Sequence, residues 1–302
     1  MAGLKTIKTK IRSVEKTQKV TKAMEAVSAA KMRKAQQKAL AGRAYARAAT
    51  AILARVSGSR ELGNHPLTAL RELKRSLYIV ITSDKGLAGA LNSGILRAVW
   101  TDMQESGGTA TVIAVGRKAN DFFLARGISV EAFYPNTDDV SSPFIRGLLD
   151  VAAQRFSSGS VDVVKIAYQN FFSTFEQRPT LRTIFPLSLK ELELVVRDIL
   201  PVRGVYAKES APIEQPSTYT IEPSEEEVFN AILPCLAGIF VYHALLESQA
   251  SEHSARMVAM KSASDKAGEM TEALTLKFNK ARQAAITREV SEITGGMEAM
   301  AA

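Results

Sequence analysis

The residues best placed to do chemistry lie in one loop, ITSDKGLAGALNSG, residues 81–94. A strand-like run precedes it and a helical pattern follows. A strand, a glycine loop and a helix N-terminus can hold a phosphate on backbone N–H groups. The spacing fits neither G-x-x-x-x-G-K-[ST] nor G-x-G-x-x-G, so phosphate binding is not assigned. Gly86 and Gly89 instead read as turn formers that permit close helix–strand packing, and Asp84 as a cap for the following helix or a counter-charge for a partner's cation. Of the three histidines, His243 and His253 fall on one helical pattern about three turns apart, too far to share a metal, and are expected to be packed or hydrogen-bonded. Cys235 follows Pro234 in an apolar run with no His or second Cys nearby, which predicts a buried, inert thiol. A single Cys excludes an intrachain disulfide and fits a reducing compartment. SEHSAR, residues 251–256, offers no nucleophile–base–acid geometry on one helix. The expectation is a chain with no catalytic residue, cofactor or metal.

The elements around these residues divide the chain into three. Residues 1–57 read as an N-terminal coiled-coil helix, residues 58–223 as a central α/β domain with a linker, and residues 224–302 as a C-terminal coiled-coil helix. Leu4, Ile7, Ile11 and Val14 step by three and four, the seam of a coiled coil. Only Gly42 interrupts residues 4–57, which predicts a helix of up to ~80 Å. In the last third one heptad register runs from Ile232 through His243, His253, Met257, Met260, Ser264, Ala267, Thr271, Leu274, Phe278 and Ala281 to Ala285. It then shifts to Ile286, Val290, Ile293 and Met297, which should alter the supercoil locally. Pro223, Ser224 and Glu225 to Glu227 make a helix start, and Gly295 with Gly296 a stop.

Between the long helices the texture changes. SLYIVIT, TATVIAVG, ISVEAFY and VDVVKIAYQNFF are β-branched or aromatic runs. They alternate with helical stretches near residues 88–105, 118–125 and 143–156. That order predicts a mostly parallel sheet covered by helices. TLRTIFPLS adds a strand that Pro186 assigns to an edge. Four prolines from residue 201 to 223 mark a linker or an ordered excursion. The apolar run AILPCLAGIFVYHALL, residues 231–246, is shorter than the roughly 20 residues of a spanning helix and contains Pro234, so a buried helix is expected. MAGLKTIKTKIR lacks the apolar run of a secretory signal.

The charge is placed as unevenly as the texture. Residues 1–57 hold fourteen Lys or Arg against Glu15 and Glu25, a net of +12 in a chain whose total is +8. Such a basic stripe suits nucleic acid, an anionic membrane surface or an acidic protein. Nucleic acid is disfavoured, because Tyr45 is the only aromatic residue in that segment.

Three motifs then occur in order: IKTKIRSVEKTQKVTKAMEAVSAAKMRKAQ, ITSDKGLAGALN, and ASEHSARMVAMKSASDKAGEM followed by LTLKFNKARQAAITREVSEITGG. In this combination, over nearly its whole length, the chain resembles the gamma subunit of F-type ATP synthases. The resemblance implies a long antiparallel coiled coil of N- and C-terminal helices with an inserted Rossmann-like α/β domain. It implies a non-catalytic central shaft that couples proton-driven rotation of a ring to ATP synthesis or hydrolysis on the beta subunits.

The implied partners are the alpha and beta subunits, an epsilon (or delta-type) subunit and the ring of c subunits, with membrane contact only through that ring. The implied location is the cytoplasmic face of the bacterial inner membrane, or the matrix face of the inner mitochondrial membrane for a mature organellar form. Carried over residue by residue, Lys8, Lys10, Lys19, Lys22, Lys31, Arg33 and Lys34 would be counter-charges for acidic loops of the beta subunits, with Met24 facing the same loops. Arg282 and Gln283, with Thr287 and Glu289 further along, would form a directional contact near the upper end of the shaft. Ala88 stands where many bacterial relatives have Cys, and the family's Asn is replaced near Lys266. The two-Cys insert of thylakoid relatives is lacking, so no thiol switch is expected.

Overall fold

The structure is a computed structural model that describes residues 2–41, 65–188 and 222–301. Its elements are α1 (Ala2–Ala41), β1 (Arg75–Ile81), α2 (Leu91–Ser106), β2 (Thr109–Val115), α3 (Arg117–Leu124), β3 (Ser129–Tyr134), α4 (Ser142–Ser157), β4 (Val163–Phe171), β5 (Gln177–Phe185) and α5 (Glu225–Ala301). Expected helix beyond Ala41, and most of the proline-rich linker, lie outside the described residues. The chain forms two compact units, one of residues 1–29 with 256–302 and one of residues 30–255.

The larger unit is built on a five-stranded sheet in the order β3-β2-β1-β4-β5. β1 to β4 run parallel and β5 closes the edge antiparallel to β4. The central strand β1 and the carboxyl half of β2 are continuous apolar runs because both of their faces are buried, whereas the edge strands β3 and β5 are more polar and partly exposed. Leu77, Ile79 and Ile81 face one cluster, with Leu148, Leu149, Ala152 and Phe156 of α4. Tyr78 and Val80 face the other, with Ile95, Val99 and Met103 of α2 and Phe123 of α3.

The first third of α5 belongs to the same core: Phe229, Leu233, Leu236, Ala237, Phe240, Val241, Ala244 and Leu245 pack in the α4 cluster. By length and composition α5 also passes as a membrane span, with half of its apolar window buried in the protein. Ser224 caps the start of this helix, its Oγ accepting the Glu227 amide at 3.3 Å.

In the smaller unit the heptad positions are the ones withdrawn from water. Leu4, Ile7, Ile11 and Val14 are half-buried on α1, followed by buried Thr21 and Ser28; on α5 Met260, Ser264 and Ala267 are buried, and Met257, Leu274 and Phe278 half-buried. The two helices thus pack in a coiled-coil-like manner. Small side chains in the middle of the seam let the helices approach closely. Burying Thr21 there costs little, because its hydroxyl donates to the Thr17 carbonyl one turn back at 3.0 Å.

Several sequence expectations need correcting. Cys235 is exposed, not buried, because Leu233, Leu236 and Ala237 take the core-facing positions and leave Pro234 and Cys235 on the outer side of α5. Gly295 and Gly296 do not end α5, which runs on to Ala301. Two interior glycines cost only about 1 kcal/mol each and break nothing by themselves. The shifted stripe of Ile286, Val290, Ile293 and Met297 is not buried either: these side chains are 51–64% exposed.

Candidate functional site at the carboxyl edge of the sheet

In an open α/β sheet, ligands bind beyond the carboxyl ends of the strands, where the strand order reverses. Here that point lies between β1 and β4, and the loop after β1 occupies it. The loop's polar groups are turned inward. The Ser83 amide donates to Asn92 Oδ1 at 3.0 Å, and Asn92 Nδ2 donates to Ser83 Oγ at 2.7 Å. Thr82 Oγ1 accepts the Ala119 amide at 2.9 Å. Asp84 accepts the Arg117 amide at 2.8 Å and the Asn136 amide at 3.1 Å. Asp84 therefore caps α3 rather than the helix that follows it in sequence.

The glycine expectation also changes. Gly89 has a left-handed φ of +59°, but a Cβ added at Gly86 or Gly89 would meet nothing within 4 Å. Close packing belongs to Gly116, where a Cβ would lie 2.1 Å from the Thr82 carbonyl oxygen.

The carboxyl end of β4 is taken by α5. Glu247 accepts the Phe171 amide at 2.9 Å, Ser251 Oγ donates to the Gln169 carbonyl at 3.1 Å, and Ser254 Oγ donates to the Thr174 carbonyl at 2.7 Å. Spacings of four and three place these side chains on one face of the helix. A second set of contacts reaches the loop after β3. Gln249 Nε2 donates to the Thr137 carbonyl at 2.7 Å, and Asn136 Nδ2 donates to Glu252 Oε2 at 3.3 Å and to the Thr82 carbonyl at 2.8 Å. His253 Nε2 lies 3.3 Å from Asp138 Oδ1. The other Asp138 oxygen pairs with Lys31 of α1, and Lys38 of α1 reaches Asp139 at 3.4 Å. Both long helices are thereby tied to the sheet's carboxyl edge through polar side chains and main-chain groups.

Burial pushes the Asp138 carboxyl up, but Lys31 and His253 outweigh it and hold the group below its ordinary value. Such an arrangement fastens elements together. Among the described residues no group of three His, Cys, Asp or Glu side chains is placed to hold a metal.

The sequence-derived contact residues fall on both units. Lys8, Lys10, Lys19 and Lys22 are exposed on α1 in the smaller unit, with Met24 half-buried; Arg282, Gln283, Thr287 and Glu289 are exposed on α5. In the larger unit Arg33 and Lys34 are exposed, and Lys31 is paired within the chain. Sequence reasoning missed Asn136, Asp138, Glu247, Gln249 and Ser251. The available signal was polar residues recurring at helical spacing after the apolar run, where Ser248, Gln249, Ser251 and Ser254 turn out to be buried.

Comparison with known proteins accounts for this architecture. The family described as ATP synthase matches residues 3–300. The ATP synthase gamma chain of Heliobacterium modesticaldum is 39% identical, covering 99% of this chain and 100% of the relative. That of Pelotomaculum thermopropionicum is 38% identical with the same coverage. Among solved structures, a chain of the Tetrahymena thermophila mitochondrial ATP synthase central stalk and c-ring is 25% identical with a TM-score of 0.57, covering 81% of this chain and 99% of that one. A chain of the Euglena gracilis mitochondrial ATP synthase, in an OSCP/F1/c-ring structure, shares the fold at 20% identity and a TM-score of 0.66, covering 99% of this chain and 95% of its own length. With a family match over almost its whole length and full-length relatives well above the threshold of chance, this chain belongs to the ATP synthase gamma chain family.

Proposed function

We propose that this chain is the non-catalytic rotor of an ATP synthase, a central-stalk subunit that couples rotation to catalysis on other subunits. The observation that carries the reading is the join at the sheet's carboxyl edge. The place where such sheets take ligands is bonded to α5, so the α/β unit grips long helices there. A shaft that is asymmetric about its axis makes different contacts with otherwise equivalent neighbours and so shifts each between conformations by differential binding free energy.

The finer parts of the proposal are these. α1 and α5 run antiparallel, with Gly268 of α5 set against Gln18 of α1, where a Cβ would lie 2.9 Å from Gln18 Nε2. In that register α1 begins opposite about residue 285 of α5 at equal rise per residue. Ile286, Val290, Ile293 and Met297 then lie beyond its reach. The inserted domain is Rossmann-like, and residues 1–57, 58–223 and 224–302 act as shaft helix, foot and shaft helix.

Lys8, Lys10, Lys19, Lys22, Lys31, Arg33 and Lys34, with Met24, face acidic loops of the beta subunits, and Arg282, Gln283, Thr287 and Glu289 make the upper contact. Lys31 would have to exchange its Asp138 partner to do so. The α/β unit stands on a proton-driven ring of c subunits beside an epsilon or delta-type subunit, and the coiled coil lies in the bore of a hexamer of alpha and beta subunits. That assembly sits on the cytoplasmic face of a bacterial inner membrane, or its organellar equivalent.

The test is co-expression with the alpha and beta subunits, isolation of the complex, and direct observation of ATP-driven rotation of a bead fixed to the α/β unit. A stable complex in which the bead does not turn during hydrolysis contradicts the reading.

A further inference from the structure

Asp138 is a single carboxylate in the loop between β3 and α4, with one oxygen on Lys31 of α1 and the other 3.3 Å from His253 of α5. The two contacts differ in kind. Lys31 is a permanent cation in a half-open setting, its side chain 45% exposed, whereas that of His253 is only 9% exposed. An imidazole ordinarily changes charge at about pH 6.5, so one of the two bonds strengthens on protonation and the other does not. The remaining charges here are Asp139 in the loop, Lys38 on α1, and Glu252 and Arg256 flanking His253 on α5. Lys38 engages Asp139, Glu252 accepts from Asn136, and an oxygen of Asp138 lies 3.3 Å from His253 Nε2.

We propose that Asp138 is a positioning residue for rotary coupling, the pin that fastens both long helices to the α/β unit, and that His253 makes the pin hold more firmly when protonated. The inference rests on the rotor reading and adds to it the residue through which torque passes between foot and shaft. Exposed ion pairs are weak singly, but this one closes a three-element junction that Gln249, Ser251 and Ser254 already align.

The experiment uses the complete reconstituted complex with Asp138→Asn, Asp138→Glu, His253→Gln and, as a control pair of similar exposure elsewhere on α5, Glu269→Gln. Two quantities are read between pH 5.5 and 8: protons pumped per ATP hydrolysed, and amide hydrogen exchange of residues 136–139. Asp138→Asn is expected to lower the coupling ratio at every pH and to raise exchange by roughly two- to five-fold, the effect of one exposed charge pair on local opening. Asp138→Glu should restore both. His253→Gln should match the parent at the alkaline end and fall below it at the acid end, flattening the pH profile. Glu269→Gln should behave as the parent. Parental coupling and exchange in Asp138→Asn, or a parental pH profile in His253→Gln, would overturn the pin while leaving the rotor reading intact. A parent complex that pumps no protons at all would sink both.

Discussion

Single glycines show how position, not residue type, sets cost. Gly116 has φ +95° and no room for a Cβ beside the Thr82 carbonyl, the group that also accepts Asn136 Nδ2. Gly116→Ala is expected to lower stability by roughly 2–4 kcal/mol, through backbone strain plus a displaced carbonyl, seen as a drop in the urea midpoint. Gly268 is helical and faces only the mobile tip of Gln18. There Gly268→Ala should be neutral or stabilising by up to about 1 kcal/mol, since helix propensity improves and the amide can swing away. A larger loss would mean that Gln18 is held in place.

Acid sensitivity is also settled residue by residue. The Arg75 guanidinium, helped by the Arg75 and Lys74 amides, holds the Asp162 carboxyl below its ordinary value against the opposing push of burial. A depressed carboxylate contributes stability that is complete above its unfolded pKa and disappears as pH falls through the folded one. Asp162→Asn should therefore lower stability at neutral pH and flatten the acid limb of the stability curve, measured by thermal unfolding at stepwise lower pH.

At the scale of elements, α5 serves two different surfaces along its length. Leu233 is fully buried in the α/β core, and Leu233→Ala should cost about 2–5 kcal/mol, with loss of near-ultraviolet dichroism from the packed aromatics around it. Phe278 is half-buried on the coiled-coil face. Phe278→Asp sets a charge against the partner helix and should reduce helix content and assembly with the hexamer, leaving the α/β unit folded. Undiminished ellipticity and assembly would disprove the register. The same helix changes from apolar to polar anchoring between Leu245 and Glu247, where it leaves the sheet face for the carboxyl edge, and main-chain groups at a sheet end demand donors and acceptors rather than methyl groups.

At the scale of the whole molecule, function lies in contacts that must form and break. Exposed lysine–carboxylate pairs are worth about 0–1 kcal/mol each, so single Ala substitutions at Lys8, Lys19 or Lys22 should leave assembly nearly intact. On the proposed contact of the Met24 face with acidic loops of the beta subunits, Met24→Lys adds a cation where the shaft would move past them. It should deepen one rotary dwell and lower ATP turnover and coupling, with recovery at high salt as the added pair is screened. Unchanged coupling at all ionic strengths would remove the electrostatic role assigned to this face. The isolated chain should show no saturable ATP binding in calorimetry, because in the loop after β1 the Ser83 amide is taken by Asn92 and the Asp84 carboxylate occupies the Arg117 and Asn136 amides.

The sequence by itself determined the periodic features. Two heptad seams, four apolar strands and their helices were legible because burial repeats at 3.5, 3.6 or 2 residues, and repetition survives without knowledge of any neighbour. β5 is an edge strand as expected, but Pro186 lies just past its end, and the residue within the strand that lacks an amide is Pro179. What only the tertiary structure decided was which unlike residues meet. Asp138 is 107 positions from Lys31 and lies in a loop with no period at all, so nothing local announces their pair. Cys235 was misplaced because an apolar run does not say which side of its helix faces the core; α4, distant in sequence, chooses that side. Asp84 could be recognised as a cap, but α3 becomes its target only when β1 and β2 pair and bring their two following loops together. Local chemistry sets what a residue can bond to, and chain topology sets what comes within reach.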